Sequence, residues 1–285
     1  MKLAAPLHES LKIVKPRPFL SILRMQLTSR LQYRMALWAG MATNAFWGFV
    51  HVVIIMTFYR YGQQGALGSG MTMTQAVSYA WLAQIVLHLL PNISADGEVR
   101  EKIRNGDIGV ELCRPLDLYA HWYARAVASR LGAFLQRFGF VAAFAMLLPE
   151  PYRLQPPASV AGLAASLLAL SMGLLLSCSL VGIAYVMLLR VSWGDGPVQM
   201  LITTVEILSG AYLPLQLWPI WAQRILLLQP FAGIMDIPLR LYIGTLSPNA
   251  VWGVLVLQAL WMSAMVAFGR LWMKRSLTHL VVQGG

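Results

Sequence analysis

The residues best suited to chemistry gather in one short stretch, Ile93 to Leu116, ISADGEVREKIRNGDIGVELCRPL. Nine of the chain's 33 acidic and basic residues lie between Asp96 and Arg114. Glu98 and Lys102 stand i,i+4 in the favourable order for a helix. Asp96 reads as an N-cap. Asp96 and Glu98 suit the positive helix end, and Lys102 and Arg104 the negative one. Asn105-Gly106 stops the helix. The spacing therefore predicts a short helix carrying Glu98, Arg100, Glu101, Lys102 and Arg104, with Val99 and Ile103 on one face. Beyond it Ile108, Val110 and Leu112 alternate with smaller or charged residues as far as Arg114-Pro115. The plainer reading is a solvated loop with one capped turn.

Elsewhere the chemical inventory is sparse. Glu206 is the one carboxylate well inside a long apolar run. It is either a functional group on a polar path or a structural carboxylate bonded to a neighbouring helix. No G-x-x-x-x-G-K-[ST] phosphate loop occurs, so ATP hydrolysis by that route is not expected of this chain. H-E-x-x-H and G-x-S-x-G are also missing. His8, His51, His88, His121 and His279 are dispersed and suggest no ligand set. Cys113 and Cys178 fall in the charged stretch and in an apolar run, so neither a disulfide nor a metal site is expected. No catalytic, cofactor-binding or metal-binding residue is assigned.

The elements that must position these residues are set by hydropathy. The chain is 58% apolar and 12% charged, with mean hydropathy +0.62. A soluble domain carries about 25% charged residues. The expected fold is therefore an all-α integral membrane protein with six transmembrane helices. A central Asp, Lys or Arg costs roughly 3 kcal/mol in lipid, so the charged stretch must project into water between two spans. Span 1 is placed at 35–59 and span 2 at 73–91. Span 3 is placed at 131–148, its approach (marked by Arg125, Arg130 and Arg137) reading as an interfacial helix. Span 4 is placed at 158–189, span 5 at 192–213 and span 6 at 251–269. Positions 1–34 form an arm. Leu20, Leu23, Leu27 and Leu31 make an apolar stripe there, which is either an interfacial helix or the basic flank of span 1. In span 4 Ala161, Ala165, Ala169, Gly173 and Ser177 recur every four residues, a seam for close packing within the chain or against a partner. Residues 214–250 are too apolar for a free loop and too broken for a clean span. They read as short helices dipping part-way into the bilayer.

The net charge of +11 follows this topology and implies no nucleic-acid partner. Eighteen Lys and Arg fall on the side holding both termini and the charged stretch, and four on the other. The positive-inside rule places the first side in the cytoplasm.

Three features together resemble the membrane subunit of type-2 ABC exporters, the six-span permeases that work with a separate ATPase. The first is the link between spans 2 and 3, EVREKIRNGDIGVELCRPLDLY, most similar to the branch of the family with Arg-Pro after this helix. The second is the break after span 5. There Ser209-Gly210, Pro214 and Leu217-Trp218-Pro219 precede Leu226-Leu227-Leu228-Gln229-Pro230-Phe231, resembling the family's re-entrant external hairpin. The third is the basic N-terminal arm. The resemblance covers nearly the whole chain.

It implies that the charged stretch is a coupling helix seated on a nucleotide-binding ATPase subunit. Glu98, Arg100, Glu101, Lys102 and Arg104 would make polar contacts. Val99 and Ile103 would anchor either in the ATPase groove or on the protein's own helix ends. ATP and Mg would bind the partner ATPase. A second permease chain, identical or similar, would complete a substrate path along spans 2 and 5, with membrane lipids around it. The inner membrane of a bacterium is the implied location. The rival readings are an ATP-independent six-span transporter or channel using Glu206 as an ion site, and a lipid-modifying membrane enzyme with Arg125, Arg130 and Arg137 holding phosphates.

Overall fold

The computed structural model describes residues 21, 24–25, 34–61, 70–92, 97–105, 108–112, 117–190 and 194–278. The expected interfacial helix of the N-terminal arm, the Asp96 cap and the Arg114-Pro115 break lie outside the described residues, apart from Ser21, Arg24, Met25 and Arg34. Among those described, regular structure is entirely helical.

Helix α1, Arg34–Tyr61, is the uncharged run between Arg34 and Arg60. Helix α2, Met73–Val86, starts on a capping box. The Thr72 side chain accepts from the Gln75 amide at 3.3 Å, and Gln75 accepts from the Thr72 amide at 2.9 Å. A single 3₁₀ turn, Leu87–Leu89, extends α2. Two short helices follow, α3 at Gly97–Asn105 and α4 at Ile108–Leu112. The alternation at Ile108, Val110 and Leu112 is thus absorbed into a helical turn.

Helix α5 runs unbroken from Leu118 to Leu147, so the approach to span 3 and the crossing are one helix. Its punctuating arginines are accommodated because two of them are buried among polar partners. Arg125 pairs with Glu98, and Arg130 donates to the Asn92 carbonyl at 2.7 Å.

Helix α6, Val160–Arg190, is the central post, packed on α5, on α9 (Asp236–Ile243) and most extensively on α10 (Val251–Leu277). The small-residue seam explains this. Ala165, Ala169, Gly173 and Ser177 are buried. A methyl group on Gly173 would lie 2.9 Å from the Gly233 carbonyl oxygen. The seam therefore packs within the chain, with Ala161 at its exposed end. Gln258 of α10 closes the same contact, donating to the Ala169 and Gly233 carbonyls at 2.9 and 2.7 Å.

Helix α7, Gly196–Leu208, has 13 residues. It is shorter than the expected span 192–213 and ends at Ser209-Gly210, with Gly210 at φ +86°. Two short helices follow, α8 at Ile220–Leu228 and then α9. Among the described residues, four helices are long and apolar enough to cross a membrane: α1, α5, α6 and α10 with its preceding turn. α2 and α7 are shorter than that.

Candidate functional site

The site is built on α3. Its exposed residues are Gly97, Glu98, Glu101, Arg104 and Asn105. At 3.6 residues per turn these form one stripe. The opposite side is anchored inward: Val99 is 1% exposed, and Ile103 packs against the same core. Of the two anchorages open to Val99 and Ile103, the chain's own helix ends provide the one seen.

Two sets of ion pairs hold α3 in place. On one flank, Glu98 bridges Arg125 of α5 and Lys102 of its own helix, the latter at 2.7 Å. Lys102 also reaches Glu111 of α4 at 2.9 Å. The Trp122 indole of α5 donates to the other Glu111 oxygen at 2.8 Å. On the other flank, Arg100 and Arg104 take the two oxygens of Asp195, Arg104 at 2.8 Å. Asp195 lies immediately before α7. So α3 is clamped to α5 on one side and to the start of α7 on the other.

The electrostatics follow from these contacts. The Arg125 hydrogen bond, helped by Lys102, holds the Glu98 carboxyl at about 2, against burial that works the other way. Glu98 and Glu111 push the Lys102 ammonium upward. Burial alone would raise Glu111, but the hydrogen bonds from Lys102 and Trp122 outweigh it and leave its carboxyl below the usual range. All three groups stay charged near neutral pH, and the arrangement suits a rigid docking post rather than proton transfer.

Of the polar residues singled out from the sequence, Glu98, Arg100, Lys102 and Arg104 are thus joined in intrachain pairs. Glu101 has no hydrogen bond or ion pair among the described residues and projects from the exposed stripe. Glu206 is not brought to this site. It sits half-buried near the far end of α7 and accepts from the Tyr212 hydroxyl at 3.0 Å.

Sequence reasoning missed Glu111, Asp195 and a second polar hub. Asp236, fully buried, accepts from the Leu215 amide at 2.9 Å and lies 3.6 Å from Arg240. The Tyr79 hydroxyl of α2 is 3.0 Å from both Asp236 Oδ1 and the Gly210 carbonyl, and its one proton serves either. This hub ties α2 to the end of α7 and to α9. The i,i+4 spacing of Asp236 and Arg240 was the available signal, and Asp195 before Gly196-Pro197 had the position of a helix N-cap.

No curated protein and no solved structure matches the chain. The family model described as ABC-2 family transporter protein matches residues 45–284. That span takes in α3 with both its clamps, the Asp236 hub and all the long helices but the first turns of α1. The chain is a multi-pass membrane protein and belongs to the ABC-2 transporter family as a permease.

Proposed function

We propose that this permease is one half of an ATP-driven exporter, powered by a separate ATPase subunit that docks on α3. The carrying observation is the two-sided clamp. A surface helix that only filled a loop would need one attachment. This one is tied by ion pairs to α5 and to the start of α7, and Val99 roots it in the core. Force applied to its exposed stripe is passed to both helices. ATP and Mg bind the ATPase, and this chain supplies the contact surface and half of the pathway.

The six-span arrangement belongs to the same proposal. α2 with its 3₁₀ turn, and α7 with the segment after it, serve as the second and fifth crossings. α8 and α9 form a re-entrant hairpin on the outer side. Both termini and α3 face the cytoplasm, by the distribution of Lys and Arg. A second permease chain completes the pathway. The host membrane is the inner membrane of a bacterium.

The test is Glu101→Arg in the reconstituted complex. Glu101 is exposed and has no intrachain partner to lose, so the permease should insert and assemble as before. ATPase stimulation by the permease should fall several-fold. Stimulation equal to that of the unaltered chain would remove α3 from the mechanism.

A further inference from the structure

Arg137 lies on α5, within one of the four helices long enough to cross a membrane. It is half-buried. Unlike Arg125 and Arg130 on the same helix, it has no hydrogen bond or ion pair among the described residues. Its guanidinium rests against α1 where Gly40 leaves room. A methyl group on Gly40 would lie 3.1 Å from Arg137 Nη2 and 3.5 Å from Nε.

No carboxylate in the neighbouring sequence is available to it. Not one Asp or Glu occurs between Glu9 and Asp96, which covers α1 and α2, or between Asp117 and Glu150, which covers α5. A guanidinium partly withdrawn from water needs an acceptor, and an anion is the strongest one. Here the anion must come from outside these helices.

The depth suggests which anion. Gly40 lies six residues after Arg34, the charge that bounds the apolar run of α1, about 9 Å along the helix axis. Trp38 is exposed beside it and packs edge-on against Phe140 of α5, with ring centroids 6.0 Å apart. Phe138 and Gly139 are exposed on α5. An open tryptophan at this level marks the boundary between headgroups and acyl chains. On the orientation proposed above, that boundary belongs to the inner leaflet.

We propose that Arg137, its guanidinium seated in the slot that Gly40 leaves, binds the phosphate of an inner-leaflet phospholipid, its acyl chains lying along the exposed aromatic face of α1 and α5. The guanidinium presents paired N–H donors to the phosphate oxygens.

The test uses the full chain purified in neutral detergent and needs no ATPase, so it fails or succeeds separately from the coupling proposal. Phosphatidylglycerol, diacylglycerol and inorganic phosphate are each added, and bound molecules are counted by native mass spectrometry. The unaltered chain should retain phosphatidylglycerol over diacylglycerol. Arg137→Gln should lower that retention about fivefold, the worth of one basic residue against an anionic headgroup. Gly40→Val keeps the charge but fills the slot, and should lower it similarly if Arg137→Gln fails to fold. Arg224→Gln, an exposed arginine on α8, should change nothing. Equal retention of phosphatidylglycerol by the unaltered chain and by both slot variants would overturn the proposal. So would displacement of the lipid by equimolar inorganic phosphate, which would mark a site for soluble anions.

Discussion

At the scale of single residues, the structure separates charges that hold α3 from charges it offers outward. Glu98 does both, being on the exposed stripe yet bonded to Arg125 and Lys102. Its folded carboxyl sits near 2 against an ordinary 4.5. A carboxyl lowered on folding stabilises fully above the ordinary value, and that stabilisation is lost as pH falls through the folded one. Protection of the α3 amides, taken relative to their intrinsic exchange rate at each pH, should therefore be unchanged from pH 7 to 5 and should fall steadily between about 4.5 and 2. Glu98→Gln should weaken the acid-side dependence and leave the part that Glu111 contributes through Lys102. Glu206 calls for a different measurement, because among the described residues its carboxylate is bonded to exposed Tyr212 alone. If it lines the path, Glu206→Gln should alter transport while expression and assembly hold. Equal transport would leave it a structural carboxylate.

At the scale of elements, the clamp on α7 is the weaker of the two and the more informative to cut. Asp195 is partly exposed, as are Arg100 and Arg104. Asp195→Asn should cost only about 1 kcal/mol of stability. It leaves the α5 clamp in place, so ATPase binding should persist while transport per ATP falls. Unchanged coupling would mean that α5 alone carries the motion. The Asp236 hub is less tolerant. Gly210 takes a left-handed φ, and an added methyl would sit 2.5 Å from the Tyr79 hydroxyl. Gly210→Ala should cost about 1–2 kcal/mol for the backbone alone and should also displace Tyr79, visible as lowered thermal stability in detergent.

The same scale shows what was legible in the residues. α1 and α6 follow runs without charge, α3 follows its own signs, and α10 continues beyond its uncharged run through Arg270, Lys274 and Arg275. The end of α7 follows Ser209-Gly210. Less was readable where tertiary partners change the cost of a residue. Arg125 and Arg130 read as an interruption of span 3, because an arginine in lipid is expensive. Glu98 and the Asn92 carbonyl lower that cost, and the helix runs through. Asp195 and Glu111 were unreadable as site residues because their partners lie 91 and 9 positions away. No periodicity reports such pairings. The seam on α6 was plain as a pattern, but the burial of Ala165, Ala169, Gly173 and Ser177 and the Gly233 carbonyl against Gly173 show that it packs inward.

At the scale of the whole molecule, the distribution of charge gives an orientation that labelling can check. With Cys113 and Cys178 replaced by serine, a cysteine at Glu101 should react with a membrane-impermeant thiol reagent only from the cytoplasmic side. A cysteine at Arg224, exposed on α8, should react from the outside. The reverse pattern would invert the topology and move the Arg137 slot to the outer leaflet. Large exposed apolar side chains line α1, α5 and α10, including Trp38, Trp47, Phe138, Trp252 and Leu271. Lipid and a second permease chain share these faces in the proposed assembly.

The most direct measurement is affinity purification of the full chain from its native membrane in mild detergent, with mass spectrometry of what accompanies it. A stoichiometric nucleotide-binding ATPase, recovered in lower amount with Glu101→Arg, is the predicted result. A permease that purifies without an ATPase, under solubilisation gentle enough to keep its second chain, would contradict ATP-driven coupling through α3.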